Sequence, residues 1–568
     1  MSNNGTMVID GLTVEIGDEK NLLELIRKAG TELPTLCYAS ELSIHGACRM
    51  CMVENERGGL DAACSEPPRA GMEIRTNTER LRKYRKNILE LLLANHCRDC
   101  TTCGNSGHCK LQDLAIRFNI DRVRFVNMAL DPKPDNSSLC ITKDENKCIL
   151  CGNCVRMCSE IQDVGAIDFA FRGSKMKVTT AFNIPIGESN CIGCGQCATV
   201  CPTGAIVVRD NTEAVWRELG DKNAEVTVQI APAVRVALGK EFGLKEGENS
   251  MGLIVSALRR MGFHKIFDTS TAADLTVLEE SRELQNRLKE KHDFPLFTSC
   301  CPAWVNHCEK RYPELMANVS TCRSPMQMFA SVIKEQYCNS SKRQVHVAIM
   351  PCTAKKFEAA RNEFKTDERP NVNYVLTTQE VIRMIKGSGL IFSNLEPEAV
   401  DSPFGLMTGS GVIFGVTGGV TEAVLRDISS DRSNSGLNKI AFIGVRGMTG
   451  VKEAQVTVGE REVKIAVVSG LGNADRVIEA LKSGCKKYDF VEIMACPGGC
   501  VCGAGQPYIP AELKIDRAKG LYSVDKLTSI KRSGENPLVD LLYNGLLKNK
   551  SHQLLHVSYT SAGKESHI

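Results

Sequence analysis

A chain of 568 residues, 43% hydrophobic and 24% charged, is long enough for several domains and can bury a sizeable core. Its formal net charge of +3 supplies no strong field, which excludes a charge-driven nucleic-acid or anionic-membrane binder. The opening residues lack a basic start followed by an apolar core, and no apolar run approaches the ~18–20 residues that span a bilayer, so a cytoplasmic protein is expected, with no nucleic-acid and no membrane partner.

Residues 7–30 alternate as two short strands about Asp10-Gly11 and then turn helical, which predicts a small β-rich domain over 1–80. Residues 81–95 read as a helix leading into a second cysteine patch, 81–137, closed by the Pro/Asp/Asn/Ser-rich stretch 131–138. Residues 138–208 hold two similar halves, and 211–219 predict a connecting helix. From about 209 to 515, apolar strand-like runs (226–232, 345–352, 439–445, 464–470, 490–496) alternate with helical stretches, predicting a large α/β domain. Residues 516–568 are more polar and are expected to wrap the surface.

Cysteine is the outlier, with 27 in all, 17 of them before residue 202 and none between there and Cys300. In an intracellular chain such a count argues for metal or redox sites rather than disulfides, and an odd number fits a fully paired framework poorly. The internal repeat is the strongest local signal. Cys148, Cys151, Cys154 and Cys158, then Cys191, Cys194, Cys197 and Cys201, each follow C-x2-C-x2-C-x3-C. In the two-cluster ferredoxin pattern the fourth cysteine serves the other cluster. Cys148, Cys151, Cys154 and Cys201 are therefore assigned to one [4Fe-4S] cluster, and Cys191, Cys194, Cys197 and Cys158 to the other. Ser159 stands where the first run lacks the trailing proline. Paired zinc sites are the alternative, though zinc favours paired knuckles over duplicated three-cysteine runs.

Cys37, Cys48, Cys51 and Cys64, on a loop eased by Gly46, fit a plant-ferredoxin-like [2Fe-2S] site, with zinc as the alternative because the spacing is not the usual one. His96, Cys100, Cys103 and Cys109 could hold zinc or a [4Fe-4S] cluster, with Cys97 and His108 as competing ligands. Its place between redox clusters favours iron. Four clusters in a row make an electron wire, which needs a consumer.

Three further motifs follow: TSCCPAW at 298–304, MPCTAKKFE at 350–358 and EIMACPGGCVCGAGQP at 492–507. Cys300 and Cys301 are adjacent, and a vicinal disulfide is strained, so two separate roles are expected of them. With these motifs the sequence resembles the iron-only [FeFe]-hydrogenases over essentially its whole length, in the long form with four accessory cluster sites. The resemblance implies a multidomain α+β and α/β chain: an N-terminal β-grasp ferredoxin-like domain, a small His/Cys cluster domain, a two-cluster ferredoxin domain and a two-lobed α/β catalytic domain. It implies one [2Fe-2S] cluster, three accessory [4Fe-4S] clusters and an H-cluster, a [4Fe-4S] cubane bridged by cysteine to a di-iron unit with CO, cyanide and azadithiolate. By motif position, Cys301, Cys352, Cys496 and Cys500 would hold the cubane, with Cys500 as the bridge.

The same resemblance makes Cys300 the last proton donor, fed through Glu280, Thr321, Glu283 and Arg287. Glu280, Glu283 and Arg287 are spaced i, i+3, i+7 on one predicted helical face; read without the resemblance, they form an exposed charged face with an i,i+4 pair. Lys355 would bond a cyanide, although Lys356 beside it is interchangeable on sequence grounds. Pro232 and Ala233 would approach the distal cyanide, with Ala233 lacking the hydroxyl of a frequent family serine. Met350, Met494 and Gln327 would line the di-iron pocket. Ala303 and Ala504 replace usual glycines, and Cys502 is an extra thiol. Of the glycine-rich stretches, 408–420 has the wrong spacing for a dinucleotide loop, and 467–477 ends G-x-G-x-A without a third glycine or an evident acidic partner.

The reading is reversible reduction of protons to H2 with electrons from ferredoxin or a partner flavoprotein, after loading by hydrogenase maturases. A complex with NAD(P)-linked subunits stays open. The rival readings are a non-catalytic electron-transfer or assembly scaffold and a hydrogen sensor.

Overall fold

The computed structural model describes residues 5–126, 132–290, 292–338, 340–366, 368–429, 431, 433, 436, 446, 450–458, 461–509 and 511–559. They fall into two units: Met1–Ile161 with Gly165–Ser189 and Cys197–Val207, and Gln162–Val164 with Asn190–Gln196 and Val208–Ile568.

In the first unit a five-stranded sheet runs in the order Leu12–Glu15, Thr6–Ile9, Glu73–Arg75, Met52–Asn55, Leu60–Ala62. The first two strands form the expected hairpin about Asp10-Gly11, with Ile9 opposite Leu12. Asn21 caps the helix Leu22–Lys28 through Glu24 N–H. That helix buries Leu22, Leu23, Leu25 and Ile26 against Met7, Ile9, Val53 and Ile74 of the sheet. The helix Glu79–Ala94 starts from a Thr78 cap. Its buried Arg85 donates to the carbonyls of Met50, Met52 and Thr76, pinning the cysteine loop to the sheet.

The second unit holds two sheets. Lys265–Asp268, Ala224–Ile230, Arg343–Met350 and Tyr374–Thr377 lie side by side, all parallel, with Ile230 opposite both Asp268 and Ile349. Leu296–Phe297, Phe490–Met494 and Arg461–Ser469 are parallel in the other sheet, edged by antiparallel Val451–Val458. Near-continuous Val/Ile/Ala runs are what parallel strands covered on both faces require, and the central residues from Val226 to Ile230 and Val345 to Ile349 are buried. Val451–Val458 instead alternates half-buried and exposed residues, as an edge strand does. The strand expected at 439–445 lies outside the described residues.

The long helix Ser270–Lys289 carries Glu280, Glu283 and Arg287. The C-terminal residues do more than wrap the surface: Leu538, Val539, Leu542, Leu547, Leu554 and Leu555 enter a core with Phe267, Phe329 and Phe404. The 408–420 stretch forms the helix Gly409–Ile413 and the start of Gly419–Ile428, packed on the long helix. The 467–477 stretch leads into the helix Leu471–Lys482, whose Asp475 bonds His307 at 2.8 Å. Among the described residues no helix is long and apolar enough to cross a membrane.

Candidate active site

Ligands of parallel sheets collect beyond the carboxyl ends of the strands. Five strands of the second unit end at one cavity. Its lining takes Pro232 and Ala233 after Ala224–Ile230, Thr269 after Lys265–Asp268, and Cys300 and Cys301 after Leu296–Phe297. Cys352 follows Arg343–Met350, and Cys496 and Cys500 follow Phe490–Met494. Met350, Met494, Phe414 and Lys355 complete much of the wall. The loop carrying Pro232 is fixed by buried Arg235, whose Nη2 meets both oxygens of Asp268 at 2.8 Å and Ser270 Oγ at 3.1 Å.

The residues 496–503 wrap closely. Gly499 sits at φ +84°, and a Cβ there would meet Thr417 N at 2.6 Å; at Gly503 a Cβ would meet Pro351 O at 2.1 Å. Neither position accepts a side chain. Burial pushes up the thiols of Cys301, Cys352 (to about 11), Cys496 and Cys500. Repulsion from Cys301 adds to the shift at Cys352, Cys496 and Cys500.

The two lysines left interchangeable in sequence are separated by the fold. Lys355 Nζ donates to Cys300 O at 3.2 Å and Glu358 Oε2 at 2.7 Å, at the cavity wall. Burial would lower its pKa, but Glu358 outweighs that and holds the ammonium. Lys356 Nζ turns away to Val375 O and Glu380.

Cys300 also lines the cavity, and burial followed by the charge of Glu280 pushes its thiol well up. Glu280 is fully buried, and neither carboxyl oxygen makes a hydrogen bond among the described residues. Burial, then the charge of Glu283, raises its pKa to about 8. Glu283 Oε2 accepts from Ser320 Oγ at 2.6 Å and its Oε1 from the Thr321 backbone N–H at 3.2 Å.

The hydroxyl facing Glu283 therefore belongs to Ser320, one residue before the expected Thr321. Ser320 N–H bonds Phe297 O, beside a parallel bridge of Val319 to Phe297. In extended chain, successive side chains alternate, so Ser320 points in and Thr321 out; Ser320 is buried and Thr321 exposed. Thr321 Oγ1 instead lies 2.9 Å from His556 Nδ1. Arg287 also departs from expectation: its Nη2 donates to Phe294 O at 3.3 Å, and its buried Nε has no partner among the described residues. Gln327 is fully buried with its amide unpaired among the described residues, next to the cavity-lining Met326.

In the first unit Cys37, Cys48, Cys51 and Cys64 are all buried, in two neighbouring thiol pairs. A hydrogen bond with Cys48 raises Cys37, and one with Cys51 raises Cys64. His96, Cys100 and Cys109 line one cavity, His96 Nδ1 is buried and unpaired among the described residues, and repulsion from Cys103 adds to the burial that raises Cys109. Cys97, Cys103 and His108 are not part of that lining. Cys148, Cys151 and Cys154 share a cavity with Cys201 from the second run. Cys158 and Cys197 lie in the first unit, Cys191 and Cys194 in the second. Among the described residues no group of three or more His, Cys, Asp or Glu side chains surrounds a point fit for a single metal ion; a cluster is held at its separate irons and needs no such point.

Family models match in five stretches. They are a 2Fe-2S iron-sulfur cluster binding domain at 4–79, the NADH-ubiquinone oxidoreductase-G iron-sulfur binding region at 85–124 and a 4Fe-4S dicluster domain at 147–205. The others are the C-terminal domain of the iron-only hydrogenase large subunit at 224–504 and the iron hydrogenase small subunit at 511–562. The NADP-reducing hydrogenase subunit HndD of Solidesulfovibrio fructosivorans is 39% identical, covering 98% of each chain. The chain belongs to the iron-only hydrogenase family.

Iron hydrogenase 1 of Clostridium pasteurianum is 34% identical over 98% of this hydrogenase and 99% of its own length. A solved [FeFe]-hydrogenase of Chlamydomonas reinhardtii is 35% identical, covers 62% of this chain and 100% of its own, and superposes with a TM-score of 0.54. This iron-only hydrogenase is thus a catalytic subunit of proton/H2 chemistry, an oxidoreductase with [2Fe-2S] and [4Fe-4S] cluster domains.

Its catalytic cavity suits an H-cluster. Five thiols line it, a held ammonium offers itself to an anion, the unpaired Gln327 amide lies beside a wall residue, and two glycine positions deny the space to side chains. Two departures from family habit also find partners in the hydrogenase. Ala303 joins the apolar cluster of Trp304, Ile493 and Ala495. The Cβ of Ala504 faces Gly195 on the second cysteine run, where a Cβ would come within 3.0 Å of it. That run is tied to the active-site loops by Thr353 Oγ1 donating to Gly193 O at 2.8 Å, and the charge of Cys194 reaches Cys496.

Proposed function

We propose that this hydrogenase interconverts protons and H2, 2 H+ + 2 e− ⇌ H2, in the cytoplasm, with electrons exchanged with a ferredoxin or a partner flavoprotein. The carrying observation is the common cavity of Cys300, Cys301, Cys352, Cys496 and Cys500 at the carboxyl ends of the parallel strands. Cys301, Cys352, Cys496 and Cys500 would hold an H-cluster installed by maturases, Cys500 as the bridge, which when bound supplies the redox-active iron and the base that receives protons. Lys355 and the Pro232–Ala233 backbone would face its cyanides, and Met350, Met494 and Gln327 would exclude water around it.

One [2Fe-2S] cluster on Cys37, Cys48, Cys51 and Cys64 and three [4Fe-4S] clusters would relay electrons. Their ligands are His96 with Cys100, Cys103 and Cys109; Cys148, Cys151, Cys154 and Cys201; and Cys191, Cys194, Cys197 and Cys158. The packing of the Cys194 run on the Cys352 and Cys496 loops supports its place as the last station before the active site. The NADP-reducing relative supports an NAD(P)-linked complex as the physiological setting.

On the proton side, Cys300 would be the last donor, recharged through Glu280, Ser320 and Glu283. At neutral pH a carboxyl with a pKa of about 8 is mostly protonated, so Glu280 is a ready donor. Arg287 would steady Glu283 by its charge; a guanidinium does not release its proton and is no relay.

Matured anaerobic protein is expected to show infrared CO and cyanide bands and to evolve H2 from reduced viologen; their absence after proper maturation would favour the scaffold reading. Ser320→Ala is expected to slow turnover by about 10²-fold. An unchanged rate for Ser320→Ala would remove that hydroxyl from the path.

A further inference from the structure

The hydrogen-bonded chain continues outward from Glu283 to the C-terminal segment. His556 Nδ1 lies 2.9 Å from Thr321 Oγ1, and its Nε2 lies 3.1 Å from Glu279 Oε2. The segment is laid against 321–323 by backbone contacts: Val557 N–H donates to Thr321 O at 2.8 Å, Arg323 Nε to His556 O at 2.8 Å, and Cys322 pairs antiparallel with His556. The imidazole is thus placed by bonds that do not depend on its own ring. Its side chain keeps 14% exposure, so it meets solvent.

The titratable and charged groups around it are few. Glu279 and Arg282 face it from the long helix, with Glu283 one residue further on. Tyr543 bonds Glu279, the His552 ring stacks at 5.0 Å, and Arg323 and Cys322 flank it. Burial would raise the Glu279 pKa, but hydrogen bonds from His556 and Tyr543 and the charge of Arg282 outweigh it and hold a carboxylate. Glu279 is therefore a fixed acceptor, and the imidazole, with one ring nitrogen on Glu279 and the other on Thr321, is the member of the pair placed to pass a proton on.

We propose that His556 is the proton-loading residue at the solvent end of the path, oriented by Glu279 and passing its proton through Thr321 to Glu283; this rests on the proton path proposed above. With Nε2–H committed to Glu279, the neutral ring presents a bare Nδ1 that accepts from the Thr321 hydroxyl. A proton taken at Nδ1 from water or a buffer acid reverses that bond, and Thr321 Oγ1 becomes the acceptor. The Thr321 backbone N–H already meets Glu283, and transfer requires a rotamer change of Thr321 that carries its hydroxyl to the same carboxylate. The hydroxyl gives its own proton to Glu283 and receives the one from Nδ1, the ring returns to neutral, and no electron is involved. In H2 oxidation the same steps run outward.

The test uses matured full-length protein evolving H2 from reduced viologen between about pH 5.5 and about 8.5. His556→Gln keeps the backbone bonds and is expected to lose about five-fold in turnover near neutrality, to lose the histidine limb of the pH profile, and to regain at least half of the rate when imidazole is added. Thr321→Val is expected to show the same loss and Thr321→Ser to behave as the parent. Infrared bands and iron content stay unchanged throughout. Turnover of His556→Gln within about two-fold of the parent with the same pH limb overturns the inference, as does a loss that imidazole leaves unrepaired, which marks a structural role. Glu283→Gln separates the two readings. If it is inactive while His556→Gln is normal, only the loading role fails; if both are normal, the proton path itself fails.

Discussion

Cys300→Ala, in fully matured protein, is expected to cost about 10²–10⁴ in turnover while iron content and the CO and cyanide infrared bands remain as in the parent. The separation of those two readouts follows from the geometry. Cys300 and Cys301 are neighbours, yet Cys301 is the N-cap of the helix Pro302–Arg311, with its sulfur accepting from Ala495 N–H at 3.5 Å on the Cys496 side. Both thiols pack against the cluster of Ala273, Val277 and Phe414, but Cys300 feels the charge of Glu280 more than that of any neighbouring thiol. Alanine at 300 removes the thiol without disturbing the four-sulfur set, and the Cys300 carbonyl that receives Lys355 remains. Robust H2 evolution by this variant would eliminate Cys300 as the donor; loss of the infrared bands would assign it to the ligand set instead.

The sequence suggested separate roles for the two thiols but not the side-chain directions around them. Helical spacing placed Glu280 and Glu283 on one face, and the long helix does carry both. Spacing along the helix says nothing about the loop that crosses it, so the resemblance pointed to Thr321, and it is the bond to Phe297 O that turns Ser320 inward instead. Lys355 and Lys356 needed the same kind of information, supplied here by Glu358 and Glu380. Arg287 was placed in the path by the family resemblance, with an i,i+4 pair to Glu283 as the alternative, and the carbonyl of Phe294 takes its guanidinium. His556 lies 235 positions from its partner Thr321, and no local pattern links them.

The fold was legible where burial imposes a continuous apolar run, as at 226–230 and 345–350, because parallel strands are covered on both faces. It was less legible at the sheet edge. Val451–Val458 alternates half-buried with exposed residues, and such a strand lacks the apolar run that marked its neighbours. The C-terminal residues misled by composition: a polar average concealed six leucines and valines spaced to enter the core around Phe404. That entry is what lays His556 against Thr321 and Cys322.

Cys500→Ala is expected to abolish H2 evolution together with the CO and cyanide bands, leaving only iron of the accessory clusters, the opposite outcome on metal from Cys300→Ala. Cys500 follows Gly499 at φ +84°, and the turn is closed by Val501 N–H on Gly415 O at 2.9 Å and Gly503 N–H on Cys500 O at 3.0 Å. Those backbone bonds survive the substitution, so the loop should hold its shape with one sulfur missing from the cavity. A cluster held by four thiolates from three separate loops then has only Cys301, Cys352 and Cys496. Cys502 is the one nearby thiol on the same turn, two residues on, and it is only partly buried. The double variant Cys500→Ala/Cys502→Ala therefore shows whether a residual signal in the single variant comes from substitution by that sulfur. Full infrared bands in the double variant would refute the bridging assignment. Their loss in both, with parent-like accessory-cluster spectra, is the result expected if Cys500 joins the two parts of the H-cluster.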